Sequence, residues 1–398
     1  MTESLVGQEV VVDVGPVAHG GHHVARYDGR VIFVRHAVAG EHVRVRLTEG
    51  HSESRFLRGD AIEVLAASPD RVDRPCPYAG PGLCGGCDFQ HIALPRQRSM
   101  LAAVVTEQLQ RLAGISWEGE VEPVPGDEDG LGWRTRVRFA STSDRRPGLH
   151  RHRSDDVVPI DRCLIADPRL PDVSGALRDG AAEAQAVVSS TGERVVVTSP
   201  AEAPIVTESL GGLRFQVHAG DFWQVHPGAA QALTSAVMTE LAPRSGSVAG
   251  TCTPGPASSP PCSPKRWGVG GVVAVESHRR SAADLCTNVA DRPQVRTVAQ
   301  PVEKFVRSRA AQGRLDLVVV DPPQSGAGKA VVAGIARQRP RAVAYVACDP
   351  AALARDLATF AAHGYQLQSL RAFDLFPMTH HVECVGVLER SPAARTGC

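Results

Sequence analysis

The chain has 398 residues, 43% of them apolar, with 43 basic and 43 acidic side chains and a formal charge of zero. That length exceeds one ordinary core and calls for two or three domains, while the charge balance excludes a chain-wide attraction to nucleic acid, so any grip on phosphate must be local. The start, Met1-Thr2-Glu3-Ser4-Leu5, lacks a basic region followed by an apolar one, and no apolar run reaches the roughly 20 residues that span a bilayer; a cytoplasmic protein with no membrane partner is expected.

From Gly7 to Leu65 valine-rich runs alternate with polar residues: Val10 to Val14, Gly29 to Val34 and His42 to Leu47. Period-two runs between glycine turns predict a small closed β-module of the oligonucleotide-binding type, ending in the segment Ala66 to Pro75. A cysteine-bearing loop follows. Leu101, Val104, Val105, Leu109 and Leu112 then stand at helical spacing and predict a helix over 94–112. Residues 121–204 mix strands with loops, and arginine concentrates there at Arg134, Arg136, Arg138, Arg145, Arg146, Arg151 and Arg153. On a strand such a row serves phosphate contact or is a solvated sheet face, and charge alone does not separate the two. Beyond residue 210 apolar strands alternate with helices in the α/β manner. The expected division is 1–66, 67–210 and 211–398: a β-barrel, a central α+β domain on whose C-terminal neighbour the 94–112 helix packs, and an α/β domain.

Ten cysteines without a secretion signal point to metal binding or catalysis rather than to disulfides. Cys76, Cys84 and Cys87 form C-x7-C-x2-C around Gly85-Gly86, and Cys163 can supply a fourth thiolate, a set that suits an iron-sulfur centre or zinc. Cys252, Cys262, Cys286, Cys384 and Cys398 join no spaced cluster and are expected to be structural. Cys348 differs, because Tyr345-Val346-Ala347 ends at it and a helix-like stretch starts two residues later. Asp321 follows the apolar run 315–320, and Glu383 follows 374–382. A lone cysteine is usually a small buried hydrophobe. A thiol and two carboxyls at the ends of apolar runs fit instead the rule that reacting groups gather outside the carboxyl ends of strands.

With these residues in order, the chain resembles bacterial RNA 5-methyluridine methyltransferases, which move a methyl group from S-adenosylmethionine to uracil C5. The pieces that carry the resemblance are the N-terminal barrel, similar to a TRAM domain; the four cysteines; the run Asp221 to His226; Asp321-Pro322-Pro323; the Cys348 segment with Leu353 to Leu357; and His381-Val382-Glu383. The resemblance implies a [4Fe-4S] cluster on Cys76, Cys84, Cys87 and Cys163, a Rossmann-like methyltransferase domain at the C-terminus, a monomer, and RNA as partner. It implies that Gln224, Glu276 and Asp321 hold the cofactor or the base, and that Cys348 and Glu383 do the covalent chemistry. Uracil C5 is a poor nucleophile; thiolate addition at C6 makes an enolate that accepts the methyl, and a carboxylate must then remove the C5 proton. Asp321 would hydrogen-bond the uracil edge, with Pro322-Pro323 stiffening its loop. The target base must leave its stack to be reached. Neither charge nor length separates transfer from ribosomal RNA.

The chain departs from the family where a glycine-rich cofactor turn should follow the first α/β strand. Residues 249–267 contain no valine, leucine, isoleucine or phenylalanine and carry five prolines, so they are expected to form neither a central strand nor the helix after it. Gly271 to Glu276 resumes as an ordinary second strand. Only Lys265, Lys304 and Lys329 are lysines against 40 arginines, the mark of a G/C-rich coding sequence, and the segment is the composition expected of a locally shifted reading frame restored near Gly268. A chain with this segment is expected to bind cofactor poorly, which leaves a non-catalytic RNA-binding homologue as the second reading. An iron-sulfur redox protein is a third, weakened by the lack of any flavin or nicotinamide motif. His226 replaces an asparagine and Gln324 an arginine of the family pattern. Gly326-Ala327-Gly328-Lys329 lacks the first glycine of a phosphate loop and is expected to start a helix.

Overall fold

The structure is a computed structural model that describes residues 3–252, 270–308 and 315–391. In the N-terminal unit the alternation does what period two requires: along β1 (Glu9–Asp13) Val10 and Val12 are buried and their neighbours exposed. With β2 (His23–Tyr27), β3 (Arg30–Arg35), β4 (His42–Glu49) and β5 (Phe56–Ala66) it forms a five-stranded sheet in the order β1-β4-β5-β3-β2 around Ile32, Val34, Val43, Val45 and Leu57. Asp28-Gly29 joins β2 to β3 with φ of 47° and 76° at the two residues, the signature of a two-residue hairpin turn matched to strand twist. The segment leaving β5 is pinned: Arg71 Nη2 donates to the fully buried Glu41 carboxylate at 2.7 Å and to the His36 carbonyl at 2.9 Å.

The central unit is an antiparallel sheet in the order β11-β10-β7-β8-β9, from β7 (Arg136–Ser141), β8 (Pro147–His150), β9 (Val157–Pro159), β10 (Glu183–Val188) and β11 (Arg194–Val197), followed by the hairpin of β12 (Ile205–Leu210) and β13 (Leu213–His218). The arginine row does not form one exposed face. Arg136 is buried, its guanidinium donating to Glu208 at 2.8 Å and to the carbonyls of Ala219 and Asp221 at 3.0 Å each. The β12–β13 hairpin and the turn after it cover that end of β7, so a residue spaced like a phosphate contact is an internal tie. Arg138, Arg145, Arg146, Arg151 and Arg153 remain exposed.

The C-terminal unit is an eight-stranded sheet in the order β16-β15-β14-β17-β18-β20-β19-β6. Its strands are β14 (Val248–Cys252), β15 (Gly271–Glu276), β16 (Val295–Ala299), β17 (Leu317–Val320), β18 (Ala342–Ala347), β19 (Tyr365–Asp374) and β20 (Glu383–Arg390), with β6 (Val121–Pro123) parallel to β19. β14 to β18 are parallel; β17 and β18 are buried on both faces, which is why they are unbroken apolar runs, whereas the edge strand β16 is partly exposed. Met100, Leu101, Val105 and Leu109 of the helix Leu94–Ala113 share one core with Leu353, Leu357 and Phe360 of the helix Pro350–Ala362.

The strand that composition argued against is present. Val248–Cys252 lies between β15 and β17, paired as Gly250↔Val273 and Gly250↔Val318. It ends before Pro254, the first of the prolines, and the two flanking parallel strands satisfy its backbone whatever its side chains contribute. Gly250 fits closely, since a Cβ there would stand 3.1 Å from Leu315. The rest of the departing segment, 253–267, lies outside the described residues, as do Cys262 and Cys398. Cys384 is fully buried, as expected of a structural thiol, whereas Cys286 is exposed.

Candidate active site

β17 and β18 end at one edge of the sheet, delivering Asp321 and Cys348. Cys348 is followed by Asp349, which caps the next helix by accepting from Ala352 N at 2.7 Å, with Pro350 at the first helical position. Glu383 arrives differently from expectation: residues 375–382 are a loop, and Glu383 opens β20 instead of closing a strand. Because β20 runs antiparallel to β18, its start lies at the carboxyl edge of the parallel strands. Ala347 pairs with Cys384, so Cys348 and Glu383 leave the sheet at the same end, near enough for the Glu383 carboxyl to act on the thiol.

A cavity of about 610 Å³ is lined by Cys348, Glu383, Asp321 and Gln224, with Pro322, Pro323 and Gln324 on the Asp321 side and the aromatic rings of Trp133, Phe222 and Phe376 among its walls. The structure thus brings together four of the five residues expected at the chemistry. Glu276 is not on this cavity. It is buried at the end of β15, where its carboxylate accepts from His278 N at 2.6 Å, two strands from β17 along the same edge.

Burial dominates the electrostatics. It pushes the Asp321 carboxyl up to about 7 and holds Glu383 well above the ordinary carboxylate range, with the neighbouring Asp321 adding to the latter. Cys348 is pushed up to about 12, by burial first and then by the Glu383 and Asp321 carboxyls. The resting site therefore carries a thiol rather than a ready thiolate.

Partners that sequence reasoning missed brace this edge. His19, from the barrel, bonds the Asp349 carboxylate at 2.9 Å. Asp88, next to Cys87, meets His380 Nδ1 at 2.7 Å and accepts from Arg35 Nη2 at 3.3 Å, tying barrel, cysteine loop and the 375–382 loop together. Gln97 Oε1 accepts from Met378 N at 3.0 Å. These pairs join residues up to 330 positions apart and leave no local pattern to find. His226 is buried beside Trp133, its Nδ1 accepting from Gly228 N at 3.1 Å, and does not line the cavity. Gly326 to Lys329 leads into the helix Gly328–Arg337, and the amides of Ala327 and Gly328 are taken by the Asp356 carboxylate, at 2.7 Å and 3.2 Å, where a phosphate would otherwise bind.

All four clustered cysteines line a second cavity of about 320 Å³, which shares Gly85, Gly86, Arg134 and His152 with the first. Donors already point at two sulfurs: Gly86 N to Cys84 at 3.4 Å and Gln90 Nε2 to Cys87 at 3.3 Å. A Cβ on Gly85 would meet the backbone of His152 at 2.4 Å, so only glycine lets the loop close there. Burial raises the thiols of Cys84, Cys87 and Cys163.

Residues 301–391 match the tRNA (uracil-5-)-methyltransferase family and residues 3–62 the TRAM domain. A protein of Streptomyces avermitilis described as an uncharacterized RNA methyltransferase is 44% identical, the match covering 98% of this chain and all of that one. The 23S rRNA (uracil(1939)-C(5))-methyltransferase of Pseudomonas putida is 30% identical, with 96% and 94% covered. The structure of a Pyrococcus abyssi tRNA (uracil-54, C5)-methyltransferase with S-adenosyl-L-homocysteine superposes at a TM-score of 0.71 over 95% of this chain and all of that one; at 20% identity it shows a shared fold. These full-length matches do not favour the reading as a non-catalytic RNA-binding homologue. The chain belongs to the RNA (uracil-5-)-methyltransferase family of S-adenosylmethionine-dependent enzymes, with a TRAM domain at its N-terminus.

Proposed function

We propose that this chain methylates uracil C5 in transfer or ribosomal RNA through a transient bond between Cys348 and uracil C6. The observation that carries the reading is that Cys348, Glu383 and Asp321 line one cavity, the first two adjoining the terminal Ala347↔Cys384 pair of β18 and β20. The thiol proton passes to solvent water, the Sγ–C6 bond forms and the C5–C6 π pair moves to C5. S-adenosylmethionine, when bound, supplies the electrophilic methyl group; Gln224, Glu276 and Asp321 are assigned to hold it or the base. Glu383 then takes the C5 proton, the ring double bond re-forms and the Sγ–C6 bond breaks. Its burial suits it to this step, since a carboxylate of raised pKa is a stronger base. Asp321, ionised, accepts from uracil N3–H. The rings of Trp133, Phe222 and Phe376 offer flat faces against which a flipped base can lie.

The test is transfer of labelled methyl to RNA from a strain lacking the gene, with nucleoside analysis for 5-methyluridine at different pH. Methylated uridine is expected, with kcat/KM rising as pH rises through about 7, because only ionised Asp321 serves as the acceptor. Asp321→Asn should lower the rate and make that limb less steep below about pH 7, leaving only the rise that thiol ionisation gives. Label in any other nucleoside, or a limb unchanged in the variant, overturns the assignment.

The donor set of the cysteine cavity fits a [4Fe-4S] cluster: four thiols at one cavity, with amide and Gln90 donors aimed at sulfur. Cys76, Cys84, Cys87 and Cys163 would hold it, and it would fasten the 76–87 loop to the connection after β9. Anaerobically purified protein is expected to contain iron and sulfide in stoichiometric amounts; stoichiometric zinc without iron contradicts this.

A further inference from the structure

The loop that carries Cys163 has a third cavity against it, of about 630 Å³, bounded by the β7–β8 turn and the short helix Ser174–Arg178. It shares Ile160, Arg162 and Cys163 with the cysteine cavity, which in turn shares Arg134 and His152 with the active site, so the three are contiguous. Its volume falls in the range of small-ligand sites. Phe139, Ile160, Leu170 and Val173 give it an apolar floor.

The charges on its rim are unequal in what they leave available. Asp144 accepts from Arg146 at 2.8 Å, Asp161 from the Tyr78 hydroxyl at 2.8 Å, Asp167 from Nε and Nη2 of Arg169, and Asp172 from Ser174. Arg162 and Arg178, both exposed, make no side-chain ion pair or hydrogen bond among the described residues. Arg145, held at φ 60° in the left-handed region, donates through one nitrogen to the Arg178 carbonyl at 2.8 Å and keeps its other donors. The carboxylates keep their charge, and Asp172 feels Arg178, so the rim is mixed in sign; what it leaves unbonded are guanidinium donors over an apolar floor. That pairing suits a phosphate with an aromatic base attached.

We infer that this cavity binds a nucleotide of the RNA strand other than the target uridine, its base on the Phe139–Leu170 floor and its phosphate against Arg145, Arg162 and Arg178. The inference rests on RNA being the substrate. It makes the arginines of the cysteine cavity, Arg134, Arg151 and Arg162 among them, the track between the two nucleotides.

The experiment compares the full chain with the double variant Arg162→Glu/Arg178→Glu, using RNA from a strain lacking the gene. KM for RNA should rise about ten-fold or more with kcat and KM for S-adenosylmethionine little changed, and the salt dependence of RNA binding should shallow by about two in log–log slope. Transcripts bearing 5-iodouridine beside the target should cross-link to a peptide within 139–178 in the parent and not in the variant. An unchanged RNA KM with no cross-link in 139–178, while the parent methylates RNA, overturns the inference and leaves the uracil-C5 reading intact. A parent chain that methylates no RNA overturns both.

Discussion

Cys348→Ala is expected to lower methyl transfer to RNA by at least about 10⁴-fold, the scale on which loss of a covalent nucleophile registers. Affinity for S-adenosylmethionine should be little changed, because no residue assigned to hold it is altered. The size of the effect follows from the substrate: without a bond at C6, uracil C5 has no enolate character, and among the described residues no other cysteine lines the active-site cavity. Single-turnover rates with labelled cofactor measure the loss, and mass spectrometry after reaction with 5-fluorouridine RNA locates the trapped adduct in the parent. The fluorine matters because C5 then lacks the proton whose removal frees the thiol. Turnover retained in the variant, or an adduct on another residue, would sink the covalent reading.

Glu383→Gln is expected to separate the two halves of the reaction. Removing a positioned general base costs about 10²–10⁴-fold, and here the cost falls after the Sγ–C6 bond has formed. A covalent protein–RNA species should therefore accumulate and survive denaturing electrophoresis, while kcat collapses. The same substitution works the other way on the thiol. Burial is the largest influence on Cys348 and Glu383 the next, so deleting that carboxyl lowers the thiol from its position near 12. Alkylation of Cys348 by iodoacetamide near pH 8 should speed up several-fold in the variant, since more thiolate is present. A variant that neither builds up adduct nor alters alkylation would show that Glu383 acts elsewhere.

These expectations depend on where Glu383 stands, and its position shows how far local pattern reaches. Asp321 and Cys348 could be found because parallel strands buried on both faces must be apolar throughout, so the first polar residue after each marks the sheet edge. Glu383 was picked by the same logic applied to 374–382, yet after Asp374 closes β19 the stretch 375–382 is a loop and β20 starts at the glutamate. The residue reaches the site only because β20 runs antiparallel, a fact of pairing. Arg136 makes the opposite case. Its spacing matches its exposed neighbours, and only the later hairpin carrying Glu208 turns it into a buried tie.

The chain's own order of residues determined the valine alternation of the barrel, the helix after residue 94, the cysteine spacing, and the thiol and Asp321 at strand ends, because each rests on a period or a terminus spanning a few residues. Tertiary structure alone decided that Val248–Cys252 is a central strand, that β6 joins the sheet of the active site, that His19 and Asp88 brace the catalytic edge from the barrel and the cysteine loop, and that spare arginines ring an apolar hollow near Cys163. The physical reason is the same in each. Neighbours along the chain set which face a side chain takes, while its partner there, supplied from tens to hundreds of residues away, sets its burial, its proton and its use.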